Sequence, residues 1–180
     1  MVKIDMLYTG KGDNGKTSLY HCDQSLSKSS LVAEALGSLD EINSFLGWCK
    51  VKASGQVPAQ LALTQNNLFS VQAEVAGADK FVTIEDVFEL EAWIGEIEKS
   101  LPPIKTFIVS GGSELSAMFD FARTIARRTE RKVVAVSEAK EVALKPETLA
   151  YLNRLSSFLY ALARQANKEV GIEEEKPSYK

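Results

Sequence analysis

SSLVAEALGSLDEINSFLGWCKVKA, residues 29–53, decides the fold class. Its apolar positions Leu31, Ala35, Leu39, Ile42, Leu46 and Cys49 recur in steps of four or three, while Glu34, Asp40, Glu41 and Lys50 lie off that stripe. This spacing lines one face of a helix that must bury itself against other helices. Gly55 and Pro58 close the run. Working outward, a second such pattern extends from Pro58 to Gly77 with Leu61, Leu68, Val71 and Val75. A third extends from Ile84 to Leu101, with Thr83 as its cap and Glu85 and Asp86 in its first turn, where acidic groups favour the helix dipole. Pro102 and Pro103 end it. The fourth runs from Glu114 to Val136 on Leu115, Met118, Ala122, Ile125 and Val133, and the fifth from Pro146 to Val170 on Leu149, Leu152, Leu155, Leu159, Leu162 and Ala166. Pro146 suits a first helical turn, where its missing N–H has no partner to lose. Five amphipathic helices with short connections predict an all-α, five-helix antiparallel bundle behind an N-terminal glycine-rich loop segment.

The chain has 180 residues, 45% hydrophobic and 25% charged, enough for one domain with a sizeable core. We divide it into a loop segment at 1–28, a bundle at 29–171 and a charged tail, 172–180, expected to fray. The formal net charge of −3 argues against a general nucleic-acid binder, yet leaves room for an anionic ligand on clustered arginines. Two cysteines, Cys22 and Cys49, make no disulfide framework, and the lone His21 cannot anchor a zinc cluster. No stretch approaches membrane-span length, so a soluble protein of a reducing compartment, the cytoplasm, is expected, with no membrane partner.

Ile4, Met6 and Tyr8 alternate with other residues and predict a short extended segment ahead of TGKGDNGKTSL, residues 9–19, whose three glycines and Asp-Asn pair force turns. Gly10 to Thr17 satisfies the phosphate-loop expression G-x-x-x-x-G-K-[ST]. The context is wrong for a Walker loop. SLYHCDQSLSKS follows, which is poor helix material, and no parallel-sheet pattern appears elsewhere. A phosphate-binding loop of another kind is the best reading, and an ordinary surface turn is the alternative.

Arg123, Arg127 and Arg131 share a face of the fourth helix, flanked by Arg128 and Glu130. Arginine grips phosphate or carboxylate in a bidentate way and keeps its charge at any working pH. A solvated face paired with Glu130 and Glu138, or with Asp40 of the first long helix, is the other reading. Asn153 lies beside the leucine stripe of the fifth helix, where an amide bonds either a base or ribose or another helix. Phe158 and Tyr160 read as packing residues, and Phe107 in KTFIVSGGS reads as core by composition.

YTGKGDNGKTSL, EALGSLDEINSFLG, FIVSGGSELSAMFDFARTIARRTER and LNRLSSFLYALAR, in that order, resemble the PduO-type family of ATP:cob(I)alamin adenosyltransferases over nearly the whole chain. RRTER and LNRLS are the specific segments. The resemblance implies a homotrimer binding ATP with magnesium at subunit interfaces, and cobalamin as the second substrate. It implies that Thr9, Gly10, Lys11 and Gly12, with Thr17 and Ser18, wrap the nucleotide, and that Lys28 approaches its phosphates. Arg127, Arg128, Glu130 and Arg131 match the segment that holds ATP, and Asn153 matches an asparagine that contacts it. Asp40 and Arg123 match an acid–arginine pair that bridges subunits and shapes the active site, and with Arg127 and Phe107 they are the expected catalytic residues. Phe107 matches an aromatic that crowds the lower face of cobalamin, and Tyr179 a C-terminal aromatic that closes over the corrin. Two positions depart from the family pattern: the loop lysine is displaced by one place at Lys11, and the histidine ahead of the Ala-Arg pair is Asp120.

The chemistry implied needs no protein nucleophile, which suits a chain without a recognisable triad. Cobalt(I) attacks the 5′ carbon of ATP and triphosphate leaves, so the protein positions reactants and stabilises charge. A reductase or acceptor enzyme is a possible partner. A non-catalytic ATP-sensing bundle is the alternative, and a kinase or hydrolase would instead release ADP or phosphate.

Overall fold

The computed structural model describes residue 8 and residues 10–19 and 25–179. Two short strands, β1 (Lys16–Ser18) and β2 (Ser25–Ser27), precede five helices: α1 (Leu31–Lys52), α2 (Val57–Val75), α3 (Ile84–Ser100), α4 (Glu114–Glu138) and α5 (Pro146–Glu169). The strands pair antiparallel, with Thr17 opposite Leu26. The Lys16–Thr17 end of the phosphate-loop expression therefore enters a strand rather than a helix, which sets it apart from a Walker loop. Thr9, His21, Cys22 and the extended segment expected around Ile4 and Met6 lie outside the described residues.

Local chemistry starts each helix. Ser30 Oγ accepts from Ala33 N at 3.3 Å and Ser113 Oγ from Ser116 N at 3.2 Å, each satisfying an otherwise orphaned donor. The Asp86 carboxylate returns to Thr83 N at 2.7 Å, the reciprocal half of a capping box. α5 begins on Pro146 and is anchored from α2: Glu74 accepts from Lys145 N at 2.8 Å and from the Thr148 hydroxyl.

α4 packs against both α1 and α5, α3 lies on α5, and α2 lies on α1. Cross-helix pairs set the directions. Glu34–Lys132, Glu41–Arg128 and Lys52–Glu114 run in opposite orders along α1 and α4, so these helices are antiparallel. Glu91–Arg154 and the bond from Lys168 to Ser100 O run in the same order, so α3 is parallel to α5. Successive helices alternate in direction, and the third and fifth must then share one.

The core holds Leu39, Ile42, Leu46, Leu68, Ile125, Leu152, Leu155, Phe158 and Leu159. Leu31 departs from the expected stripe: it is 40% exposed at the first turn, beyond the reach of neighbouring helices. Leu115 and Leu149 are half-buried at helix starts for the same reason. Burial pushes the Cys49 thiol up to about 12, so it packs as a small apolar side chain. Two residues of the tail make contacts with the bundle and the 101–113 loop. Glu174 pairs with the buried Arg164, and Glu175 O accepts from Val109 N at 2.8 Å.

Leu155→Ala should destabilise the chain by about 2–5 kcal/mol, because the enclosed site cannot collapse around the cavity. Denaturant unfolding followed by helical circular dichroism measures it.

Candidate functional site

Two regions of chemistry emerge, one from the glycine loop and one from α4 and α5. The loop is built by its own turns. Asp13 N bonds Gly10 O and Gly15 N bonds Gly12 O, each at 3.2 Å, and Lys16 N bonds Asn14 Oδ1 at 3.1 Å. Lys28 N closes onto Gly15 O at 2.9 Å, which lays the lysine back over the loop. A Cβ on Gly12 would stand 3.0 Å from Lys28 Nζ, so the glycine makes room for that ammonium. Lys11, Gly12, Lys16, Thr17, Ser18 and Lys28 line a cavity of about 400 Å³. Three ammonium groups and three hydroxyls, Ser25 being the third, around one opening make an anion site.

The second region lies where α4 and α5 meet residues 104–110. Phe107, Arg123, Arg127, Ser156, Ser157 and Tyr160 line a cavity of about 430 Å³. Phe107 is 78% exposed, so the expectation that it belongs to the core fails: its ring stands at the mouth of the cavity. Tyr160, expected only to pack, lies beneath Arg123, whose guanidinium carbon is 5.8 Å from the ring centroid. Burial pushes the Tyr160 phenol up, keeping it neutral. Asp120 is buried and accepts from Arg123 Nε at 3.2 Å and from Gly111 N at 3.1 Å. Its carboxylate ties the arginine to the Gly111–Gly112 turn.

The arginine cluster divides its work. Arg123 and Arg127 face the cavity, and Arg131 Nη1 bonds Arg127 O at 3.0 Å. Arg128 turns to α1 and pairs with Glu41 at 2.5 Å, where Asp40, Glu130 or Glu138 was expected. The reason is angular, because Arg128 lies one helical step off the face shared by Arg123, Arg127 and Arg131. Glu130 instead accepts from Asn153 Nδ2 at 2.9 Å, and Asn153 Oδ1 accepts from Arg154 at 2.8 Å. Both expected polar residues of the α4–α5 seam are thus brought together, with Asn153 exposed. Asp40 is exposed on α1 and makes no hydrogen bond or ion pair among the described residues. Tyr179 is 79% exposed and lines neither cavity.

The two cavities share no lining residue. No helix among the described residues is long and apolar enough to cross a membrane, and no cluster of His, Cys, Asp and Glu there could hold a metal.

A family model described as cobalamin adenosyltransferase matches residues 7–166. The chain belongs to the cobalamin adenosyltransferase family. A corrinoid adenosyltransferase of Bacillus subtilis is 38% identical over 175 residues, covering 92% of this chain and 89% of the relative. The corrinoid adenosyltransferase PduO of Citrobacter freundii is 38% identical over 166 residues, and the chain spans about half its length (49%). Among solved structures, a variant PduO-type ATP:corrinoid adenosyltransferase from Lactobacillus reuteri, complexed with cobalamin and ATP, superposes with a TM-score of 0.87. It is 30% identical, with 96% of each chain covered. Within this family the arginine-lined cavity and the lysine-lined loop become candidates for the two substrates. Sequence reading missed Tyr160, and it registered Asp120 only as a departure from the family pattern. An aspartate three residues ahead of an arginine on a helix was the available signal for the second.

Lys28→Met should weaken binding of inorganic triphosphate to the loop about tenfold, through loss of one charge-assisted contact. Titration calorimetry at low salt measures it.

Proposed function

We propose that this chain transfers the 5′-deoxyadenosyl group of ATP to the cobalt of a corrinoid, with the arginine-lined cavity receiving the corrin side. The observation that supports this most directly is Phe107, a large apolar ring held out in solvent beside Arg123 and Arg127. With Ile104 and Val109, which are exposed on the same loop, it makes an apolar edge that an apolar ligand face would cover.

The reaction asks little covalent chemistry of the protein. A one-electron donor, a reductase in the cell, reduces bound cobalt(II) to cobalt(I). The cobalt(I) electron pair then forms the bond to the 5′ carbon as the carbon–oxygen bond breaks. Triphosphate leaves with that electron pair. Reduction is easier once the lower axial ligand has gone, and Phe107 occupies the space which that ligand needs. Lys28, Gly10, Lys11 and Gly12, together with Thr17 and Ser18, hold the departing phosphates, and Thr9 belongs to the same loop segment. Arg127, backed by Arg131, adds positive charge where negative charge grows. Asn153, oriented by Glu130, positions the adenosine. Arg128 acts from behind, joining α4 to α1 through Glu41. Tyr179 closes over the corrin from the tail. A magnesium ion, held mainly by triphosphate oxygens with hydroxyl help from Thr17 or Ser18, would neutralise phosphate charge.

We further infer that the working unit is a homotrimer with sites between subunits. The loop cavity and the α4–α5 cavity share no lining residue within one chain, which supports a nucleotide reaching from the loop of one copy to the α4–α5 cavity of another. Asp40 is free to pair across such an interface with Arg123 of a neighbour. Trp48 and Phe121, both 56% exposed around Phe45, offer it an apolar face. The free, buried Cys49 suits a reducing cytoplasm. A non-catalytic ATP sensor would keep the lysine loop but has no use for an exposed Phe107.

An anaerobic assay with ATP, magnesium and chemically reduced cobalamin tests the reaction. Growth of the adenosylcobalamin spectrum with stoichiometric inorganic triphosphate is expected, whereas ATP binding without a spectral change would favour the sensor. Phe107→Ala should leave ATP binding intact and lower the rate from cob(II)alamin by about a hundredfold. The same variant supplied with preformed cob(I)alamin should retain most of its rate.

A further inference from the structure

Residues 101–113 carry Phe107 from the end of α3 to the start of α4 without strand or helix of their own. Other elements must therefore satisfy and hold their backbone. α5 does so with two side chains three residues apart. Arg164 Nη2 donates to Pro102 O at 2.8 Å, at the near end of the loop. Asn167 Nδ2 donates to Gly111 O at 2.7 Å, and its Oδ1 accepts from Ser113 N at 2.8 Å, at the far end. Gly111 O also accepts from Ser116 Oγ at 3.0 Å. Asn167 lies so close over Gly112, whose φ is +107°, that a Cβ there would stand 2.6 Å from Oδ1.

The middle of the loop is held by the tail. Val109 N donates to Glu175 O at 2.8 Å, and the adjoining Glu174 is gripped by Arg164 through Nε and Nη2. That carboxylate, hydrogen-bonded to the guanidinium, holds the Arg164 pKa above its usual value. Arg164 and Asn167 are each only 6% exposed. A guanidinium buried this far is costly unless every donor has work to do, and here its partners are the loop and the tail. Phe107, by contrast, is exposed, so its position depends on its backbone.

We propose that Arg164 and Asn167 are positioning residues of the adenosyl-transfer site, with Glu174 and Glu175 forming a strap. Together they fix both ends and the middle of residues 101–113 and so set where Phe107 stands over the cavity. Neither lines the arginine-walled cavity or the loop cavity. The inference rests on the reading of Phe107 as the ring that displaces the lower ligand.

The test compares Glu174→Gln and Asn167→Asp with Phe107→Ala and the unsubstituted protein. Glu174→Gln removes one charge from the tail, keeps an oxygen for Arg164 to bond and alters no helix residue, so it remains informative if Asn167→Asp fails to fold. Amide hydrogen exchange at Val109, held by the Glu175 carbonyl, and at Ser113, held by Asn167 Oδ1, reads the hold on the loop. Rates from cob(II)alamin with reductant, rates from preformed cob(I)alamin and the KM for ATP read its use. Electron paramagnetic resonance of bound cob(II)alamin reads whether the lower nitrogen ligand is still attached. Faster exchange at both amides is expected, with a roughly tenfold to hundredfold lower rate from cob(II)alamin and more lower-ligand signal. The KM for ATP should stay within about twofold, which simple loss of folded protein or of nucleotide contacts would not produce together with the ligand signal. Unchanged exchange overturns the proposal, as do unchanged rates and signal beside a crippled Phe107→Ala. If Phe107→Ala itself behaves as the unsubstituted protein, the reading of Phe107 fails first and the positioning role falls with it.

Discussion

α5 is enclosed nearly all the way round, and the rest of the structure arranges itself to satisfy it. Tyr151, Leu152, Leu155, Phe158, Leu159, Leu162 and Ala166 fill the core, yet Thr148, Ser156, Arg164 and Asn167 are buried on the same helix. Those side chains are nearly cut off from solvent, and each takes a protein partner. Thr148 takes Glu74 of α2, and Ser156 Oγ returns to Asn153 O at 3.1 Å. Arg164 and Asn167 take the backbone of residues 101–113 and the carboxylate of the tail. An irregular loop and a charged C-terminus are thereby drawn onto a helical core.

The α1–α4 seam follows a different logic. It carries its ion pairs at the rim, Glu34–Lys132, Glu41–Arg128 and Lys52–Glu114, around an interior that includes Thr129 Oγ1 on Ser38 O at 3.0 Å. Lys132 holds the Glu34 carboxyl below its usual range, through their hydrogen bond and their opposite charges. Being exposed, these pairs add little stability and serve mainly to fix register. They also free Arg123 and Arg127, one helical step away, to face the cavity.

Much of the candidate site was legible in the chain. The lysines and glycines of the loop, the Arg123–Arg127 face and Asn153 stood out because local spacing places them on one turn or one helix face. Tyr160 was not legible, since a tyrosine beside a leucine stripe looks like packing until the cavity next to it is seen. Phe107 was ambiguous by composition for the same reason. The partners of Arg128 and Asn153 come from other helices, and sequence separation hides such choices. Asn153 takes Glu130, twenty-three positions away.

Five helices with ends within about two residues, the Thr83 cap, and the mismatch of the glycine loop with a Walker fold were determined by sequence alone. All of these follow from interactions within one or two turns of chain. Only the tertiary structure decided that Phe107 stands in solvent, that Arg128 serves α1, and that Glu174 and Glu175 meet Arg164 and Val109. Each of these turns on which distant groups a buried or exposed side chain meets, and burial is a property of the packed whole.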